Sequence, residues 1–213
     1  MAASKSFEAV IRERRATMHF DGAPLPDAAL QTILEHAGQA PSGYNLQPWR
    51  FLVVRTPDAK ARLRKAAFDQ PKITEASAVV VAFAPREGWK ENAAEIFEES
   101  ARRGAIPPAE KEKRLAGAIK FIESMDRAVW LNRHTMIAFT HLMLAAEAAG
   151  FDTAPMEGFD PAAVRTAMEL PGDCEVVALL AIGRLKGEDK PNPGRLPLSR
   201  LAFSESLRQP WGA

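Results

Sequence analysis

The chain has 213 residues, of which 46% are hydrophobic and 26% are charged. A chain of this length buries roughly 70% of its unfolded surface, so it can build a core of its own. Its 28 Lys and Arg against 27 Asp and Glu leave a net charge of +1. This balance excludes a sequence-wide attraction to nucleic acid or anionic lipid, and neither is expected as a partner.

The cysteine content and the hydropathy predict a cytoplasmic protein. The single cysteine, Cys174, excludes an intrachain disulfide, and with four His it leaves no Cys-rich or His-rich metal cluster. No stretch approaches the 18 or so apolar residues that span a bilayer. Residues 1–15 lack the apolar centre of a secretory signal. We therefore expect a reducing compartment and no membrane.

The spacing of apolar residues predicts a chain of helices and a few strands. Ser4 or Ser6 can cap a first helix, which ends in a basic run. A second helix starts at Pro26 and stops near Gly38, and the two prolines of the next segment predict an ordered loop. The loop covers 40–49, strands are predicted over 50–55, 78–83 and 176–182, and helices over 57–67, 91–103, 108–123, 126–149 and after Pro161.

Two segments have an unusual pattern. The helix over 126–149 carries apolar residues beyond one face, so it needs burial on several sides, and Gly150 is expected to stop it. Residues 186–213 have no helical period but keep large apolar side chains. We predict an extended C-terminal arm that lies on another surface, such as that of a partner subunit. Residues 1–213 are interpreted as a single α+β domain.

The fingerprints of common catalytic sites are absent from the sequence. It contains no G-x-G-x-x-G, G-x-x-x-x-G-K-[ST], H-E-x-x-H or G-x-S-x-G. His134 and His141 could share a helix face but lack a third metal ligand. Cys174 precedes an apolar strand, where a thiol is usually a small hydrophobe. An enzyme of this sequence would therefore rely on an organic cofactor and no metal.

Three separated segments carry the remaining signal. Arg14 and Arg15 are either a solvated basic helix end or a grip for a phosphate. The loop 41–49, rich in small polar side chains, is either a structural turn or a ligand-binding loop. Residues 154–159 are interpreted on their own as a proline-led turn, in which Gly158 permits close approach of another group to the backbone.

In this order and spacing, the three segments resemble the nitroreductase family of FMN-dependent reductases. The family's R-[RH]-[SA]-x-x-x-F is matched at 14–20, P-S-x-x-N-x-Q-P-W at 41–49, P-x-E-G-F at 155–159 and L-P-x-S-R at 196–200. The resemblance covers nearly the whole chain. It is weakest over 86–125, a stretch that varies in the family and shapes substrate access.

The resemblance implies a three-layer α+β fold with a central mixed sheet flanked by helices. It also implies a homodimer in which the C-terminal arms are exchanged between subunits and complete the sheets. Two tightly bound FMN molecules would lie at the interface, each contacted by both subunits.

The resemblance further implies a set of cofactor-binding residues and no catalytic side chain. The three arginines, Arg14, Arg15 and Arg200, would hold the phosphate, with the backbone of Ala16 beside them. The loop residues Pro41, Ser42 and Asn45 would come from the other subunit. Lys72 would lie near flavin N1 and O2. The segment with Glu157 and Gly158 would place a backbone N–H at flavin N5 and O4. Gln47 would brace its loop or reach the ribityl chain. The residues are Arg14, Arg15, Ala16, Pro41, Ser42, Asn45, Gln47, Lys72, Met156, Glu157, Gly158 and Arg200.

Three positions depart from the family pattern. Met18 and Leu198 stand where members often have lysine, so the phosphate site depends more on arginine. Asp69 stands near the position where relatives carry an amide that contacts the pyrimidine edge of the flavin. Whether Asp69 contacts the flavin is left open by the sequence.

The implied function is FMN-dependent transfer of hydride from NADH or NADPH to a small-molecule acceptor by a ping-pong mechanism. Nitroaromatics, quinones and similar electron-poor compounds are the expected acceptors. The same fold could instead serve reductive dehalogenation, ene reduction or flavin fragmentation, or bind flavin without turnover. A basic helix-turn module for DNA is disfavoured by the balanced charge. The preferred nicotinamide and the natural acceptor are not encoded in these motifs.

Overall fold

One antiparallel sheet lies at the centre of the structure. The computed structural model describes residues 5–188 and 190–212. Its strands are β1 (Arg50–Val54), β2 (Ala78–Ala84), β3 (Asp152–Met156) and β4 (Glu175–Gly183). They are hydrogen-bonded in the order β1-β2-β4-β3, and every pairing is antiparallel. The almost wholly apolar β2 and β4 occupy the middle, as their sequences predict.

The mixed sheet stays a prediction, because the strands that one chain contributes in its described part all pair antiparallel. That expectation included a strand added by the arm of a second copy, and in the described part of one chain the arm adds no strand. The single parallel pairing there is an isolated bridge between Ala16 and Thr153. Backbone pairing of the described arm residues beyond Lys190 is confined to the arm, where Phe203 bridges to Pro210.

Several helices begin or end where local signals predict. The side chains of Ser6, Thr56, Asp126 and Asp160 accept hydrogen bonds from backbone N–H groups of first turns. Ser4, the other candidate cap, lies outside the described residues. Gly150 has a φ of +81° just beyond the longest helix, as expected for its stop. The helices are α1 (Phe7–Glu13), α2 (Asp27–Gly38), α3 (Pro57–Ala66), α4 (Lys72–Glu75), α5 (Gly88–Arg102), α6 (Lys111–Glu123), α7 (Arg127–Ala148) and α8 (Pro161–Ala167).

Helices cover both faces of the sheet. Val79 and Leu179 pack with α3 and α8 on one face, whereas Val80 and Leu180 pack with α2 and α7 on the other. Neighbouring strand residues belong to different clusters because successive side chains point to opposite sides of a sheet. The predicted α+β arrangement, with a sheet between layers of helices, is confirmed.

The long helix α7 is buried on several sides, as predicted. It contacts α1, α2 and α6 as well as three strands of the sheet. Its first turns join α5, α6 and the loop before β1 in a separate apolar cluster around Trp89, Phe97 and Trp130. Among the described residues, neither α7 nor any other helix combines the length and apolarity needed to cross a bilayer.

Two elements, α4 and β3, were not predicted. Residues 154–159 were interpreted as a turn, but the first three of them belong to β3. β3 is an edge strand, where Pro155 can stand opposite Leu180 although it has no N–H to donate. α4 has four residues, which is too short for a periodic signal.

Candidate functional site

The first arginine segment leaves α1 and runs along β3. Nη1 of Arg15 donates to three backbone oxygens at the end of α1, at 2.8 to 2.9 Å, so this guanidinium caps the helix. Immediately afterwards Ala16 bridges to Thr153, and the Thr17 N–H donates to the Thr153 oxygen at 2.9 Å. The pairing with β3 therefore fixes the position of the segment.

Arg14 is the residue of this segment that fits an anion. Its side chain is partly buried, and its Nη1 atom is buried without a hydrogen-bond partner in the described part of the chain. A buried charged donor without an acceptor carries a large desolvation cost, which an anionic ligand removes. The unpaired guanidinium nitrogen makes Arg14 the candidate in this segment for holding a phosphate or carboxylate.

The end of β3 leads into the second part of the site. Met156 is buried in the core, and the chain emerges at the exposed Glu157 and Gly158. The Gly158 oxygen accepts a hydrogen bond of 2.7 Å from Nε2 of Gln70. This contact joins the β3 exit to the segment before Lys72, across 88 positions of sequence.

Cations of α3 hold the segment that carries Lys72. Nζ of Lys60 donates to the oxygens of Thr74 and Ala76 at 3.2 and 2.7 Å, at the C-terminal end of α4. Burial lowers the pKa of Lys60 and also the pKa of Lys72. Lys72 is therefore a partly desolvated cation on a fixed segment, which suits contact with a group that becomes negatively charged.

Asp69 and its neighbour Gln70 differ in what their side chains contact. The Asp69 side chain is exposed, and its backbone oxygen accepts from Nε of Arg64 at 3.1 Å. The side-chain amide that reaches the Gly158 segment is supplied by Gln70, one position later. Sequence analysis missed Gln70, although it lies two residues before the predicted ligand Lys72.

The loop before β1 forms a second group of candidate ligands. Ser42 Oγ accepts from the backbone N–H of Gln47 at 2.9 Å, and Gln47 Nε2 donates to the backbone oxygen of Asn45 at 3.2 Å. Gln47 thus braces its loop through these bonds, and its contact with a ribityl chain stays a prediction. Nδ2 of Asn92, on α5, donates to the Leu46 and Gln47 oxygens. Asn92 is a loop-positioning residue that the sequence did not reveal.

The backbone of this loop is strained. Tyr44, Asn45 and Gln47 have φ values of +53°, +58° and +44°, in a region that non-glycine residues rarely occupy. Such conformations cost on the order of 1 kcal/mol each and persist where the surroundings enforce them, often at ligand sites. Here the enforcing contacts are those from α5 and the packing on α7.

The two groups lie apart within one chain. The loop lies on α7 at His134, whose Nε2 would be 3.4 Å from a Cβ at Gly43. The arginine segment lies on Thr153, which bonds Glu147 near the other end of α7. The rise of an α-helix separates these two α7 positions by about 20 Å. Arg200, on the exposed arm, has no described contact with Arg14 among residues 5–188 and 190–212.

Comparison with known proteins settles the family. The model of the nitroreductase family matches residues 11–184. The chain belongs to the nitroreductase family. It is 36% identical over 191 residues to a protein named NADH dehydrogenase from Thermus thermophilus, covering 90% of this chain and 92% of the relative. It is 32% identical over 210 residues to the putative NAD(P)H nitroreductase YdgI of Bacillus subtilis, covering 95% and 99%.

A solved structure agrees with this assignment. The crystal structure of a putative nitroreductase in complex with FMN from Exiguobacterium sibiricum superposes with a TM-score of 0.87. It is 26% identical in sequence, and the match covers 95% of this chain and 99% of that one. Membership of the family makes the chain an oxidoreductase, and the expectation of an enzyme is confirmed.

Within one chain the predicted site residues thus fall into two separate groups, and Arg200 lies outside both. In the first group, which we call the arginine half-site, β3 and Gln70 connect the arginine segment to the segment that carries Lys72. The second group, which we call the loop half-site, packs on α5 and α7. The arginine half-site contains Arg14, Arg15, Ala16, Lys72, Met156, Glu157 and Gly158, and the loop half-site contains Pro41, Ser42, Asn45 and Gln47.

Proposed function

We propose that this member of the nitroreductase family binds FMN and transfers hydride from NADH or NADPH to electron-poor small molecules in ping-pong order. Nitroaromatics and quinones are the acceptors we expect. The observation that carries the proposal is the orphaned Nη1 of Arg14, beside a strand that leads directly to Gly158. The name of the YdgI relative and the FMN in the Exiguobacterium structure support the same cofactors.

The arginine half-site offers what FMN requires. Arg14 and Arg15, with Arg200 from an arm, would hold the phosphate, because guanidinium groups stay protonated and form charge-assisted bonds. When bound, the flavin supplies the hydride-transfer chemistry. Lys72 supplies positive charge where the reduced ring is expected to be anionic. The backbone at Glu157 and Gly158 offers donors without any reacting carboxylate.

We propose that the complete site needs two copies of the chain. The two half-sites lie on α7 at positions about 20 Å apart, so a second copy related by a two-fold axis is the simplest way to bring the loop half-site of one to the arginine half-site of the other. A tightly held FMN at such an interface would be contacted by both subunits.

The arm and the edge of the sheet support this dimer. The arm exposes large apolar side chains, including Leu196, Leu201 and Trp211. The outer edge of β1 pairs with no strand among the described residues, and beside it lies a groove of about 890 Å³ between α2 and α3. We propose that the arm of the partner lies along this edge, because strand addition satisfies free backbone groups and buries the apolar side chains.

A pocket beside the loop half-site suits a planar acceptor. Tyr44 and Phe121 contact edge to face, with ring centroids 6.0 Å apart, and both are about half exposed. They line a cavity of about 530 Å³ together with Phe97 and Ile106. Apart from Tyr44, its lining comes from α5, α6 and the segment between them, within the stretch 86–125 that was predicted to shape substrate access. Aromatic walls favour flat, electron-poor compounds.

The visible spectrum of the purified protein tests the proposal. We expect flavin absorbance, its loss on anaerobic addition of NADH or NADPH, and its return on addition of a quinone or nitroaromatic. A protein that is colourless and takes up no added FMN would contradict the cofactor. Flavin that neither nicotinamide reduces would favour a binding protein without turnover. We also propose a cytoplasmic location, which the free, buried Cys174 fits.

A further inference from the structure

A buried carboxyl group lies behind the arginine half-site. Glu147, in the last turn of α7, is 4% exposed although it is an acid. Its Oε1 accepts a hydrogen bond of 2.8 Å from the Oγ1 of Thr153, which is itself fully buried. Acids are almost never buried to this degree unless a partner or a function retains them.

Thr153 connects this carboxyl to the arginine segment. The Thr153 side chain donates to Glu147, while its backbone oxygen accepts from the Thr17 N–H at 2.9 Å. Thr153 also bridges to Ala16, directly after the two arginines. The geometry of the segment therefore depends on a residue that Glu147 holds in place.

Several charges face Glu147 from the neighbouring elements. Asp152 on β3 disfavours its ionised form, whereas Lys5 and Arg14, on either side of α1, favour it. Lys5 is itself paired with Glu13 at 3.3 Å. Burial outweighs these charges and raises the pKa of Glu147 to about 7. The carboxyl is thus poised between its two charge states near neutral pH.

We propose that Glu147 is a proton-linked positioning residue of the arginine half-site: it orients the Arg14–Thr17 segment through Thr153, and it takes up a proton when a phosphate monoester binds at Arg14. The inference rests on the proposed FMN site and adds to it a group that touches neither the flavin nor the acceptor.

The physical reason is competition for one cation. Arg14 has a buried donor without a partner, and its positive charge favours the ionised carboxylate of Glu147. A bound phosphate brings close to two negative charges to the same guanidinium, so the carboxylate loses its favourable interaction and is repelled. Because linkage is reciprocal, a proton on Glu147 must then strengthen phosphate binding.

The test is the pH dependence of FMN affinity in three proteins freed of flavin. They are the wild type, Glu147→Gln, which keeps an acceptor for Thr153, and Glu13→Gln, which removes an exposed acid beside the same arginine. Quenching of flavin fluorescence gives the Kd of FMN and of riboflavin from about pH 6 to 9. Ionisation of the phosphate affects FMN equally in all three, so it cancels in their ratios.

We expect the wild type and Glu13→Gln to lose FMN affinity relative to Glu147→Gln as pH rises, by roughly three- to tenfold, equivalent to about 1 kcal/mol. Riboflavin affinity, without the phosphate, should show no such difference. Thr153→Val removes a hydrogen bond that favours the ionised carboxylate of Glu147, so the pKa of Glu147 should rise. The pH at which this variant loses FMN affinity should therefore be higher than in the wild type.

Parallel FMN profiles of wild type and Glu147→Gln would overturn the inference. So would an equal, pH-independent weakening of FMN and riboflavin, which is the result expected of a purely structural residue. If none of the proteins bound FMN, the proposed cofactor site and this inference would both fall. Parallel profiles with tight FMN binding would leave the proposed function standing and remove only the role of Glu147.

Discussion

The side-chain amide of Gln70 holds the backbone oxygen of Gly158 at 2.7 Å. This one hydrogen bond joins the segment that carries Lys72 to the segment expected at the reactive edge of the flavin. Lys60 fixes the other end of the Lys72 segment through two backbone oxygens. The position of Gly158 is therefore set by side chains from a different part of the chain.

Replacing Gln70 by Met should weaken flavin binding by about 1 kcal/mol, the net contribution of one neutral hydrogen bond. FMN and riboflavin should be affected equally, because the phosphate lies elsewhere. The midpoint potential of the bound flavin should also change, since the backbone donors beside Gly158 lose their support. Unchanged affinity and potential in Gln70→Met would show that this bond does not position the site.

Replacing Arg14 by Gln should weaken FMN binding by about 1.5 to 3 kcal/mol, the contribution of a charge-assisted hydrogen bond. Riboflavin affinity should stay the same. Arg12→Gln is the matched control, because Arg12 lies in the adjacent turn but is exposed and pairs with Glu8 at 2.8 Å. Arg200→Ala should resemble Arg14→Gln if the arm supplies a phosphate ligand. Equal FMN affinity in all four proteins, the wild type included, would refute the phosphate assignment.

Replacing Gly158 by Ala separates ligand contact from folding. A Cβ there would meet Gln70 Nε2 at 3.5 Å and Phe68 Cδ2 at 3.9 Å, which are ordinary contacts. The melting temperature of the flavin-free protein should therefore change little, whereas flavin affinity should fall because the new methyl group occupies space needed by the ring. Gly172→Ala, whose Cβ would meet nothing within 4 Å, is the control. Normal FMN affinity in Gly158→Ala would contradict close approach at this position.

The buried acid predicts a fall of stability with rising pH. The folded structure raises the pKa of Glu147 from 4.5 to about 7, so between these values the folded state binds more protons than the unfolded state. The stabilising effect of that proton is present at acid pH and is lost as pH rises through about 7. Between pH 5 and 8 the flavin-free wild type should lose about 2 kcal/mol relative to Glu147→Gln. Urea unfolding at the two pH values measures this difference. An equal change in the free energy of unfolding of the two proteins between pH 5 and 8 would contradict the prediction.

Deleting residues 187–213 should give monomeric protein that retains little flavin, because the arm's apolar side chains no longer cover the partner. A milder variant, with Leu196, Leu198 and Leu201 changed to Ser, keeps the chain length and checks that truncation alone is not responsible. Light scattering after size exclusion gives the mass, and absorbance gives the flavin content. A fully flavinated dimer in both variants would remove the arm from the interface.

Local signals accounted for most of the fold. Capping side chains such as Ser6 and Asp126 act within one turn of their helices, and the strands β2 and β4 are apolar along nearly their whole length. β3 was missed because Pro155 indicates a turn unless the strand lies at a sheet edge, and only the sheet order reveals an edge. Glu147 could have been found in the sequence, because it is an acid within the apolar C-terminal part of α7.

By itself the sequence determined the helices other than α4, the central strands, the family and the residues of its motifs, because each of these depends on neighbours along the chain. The tertiary structure decided which of those residues meet. Contacts such as Gln70 with Gly158 and Asn92 with the loop oxygens depend on how α5 and β3 pack against the rest of the chain. Packing brings together side chains that are distant in sequence, and no local period records which ones will touch.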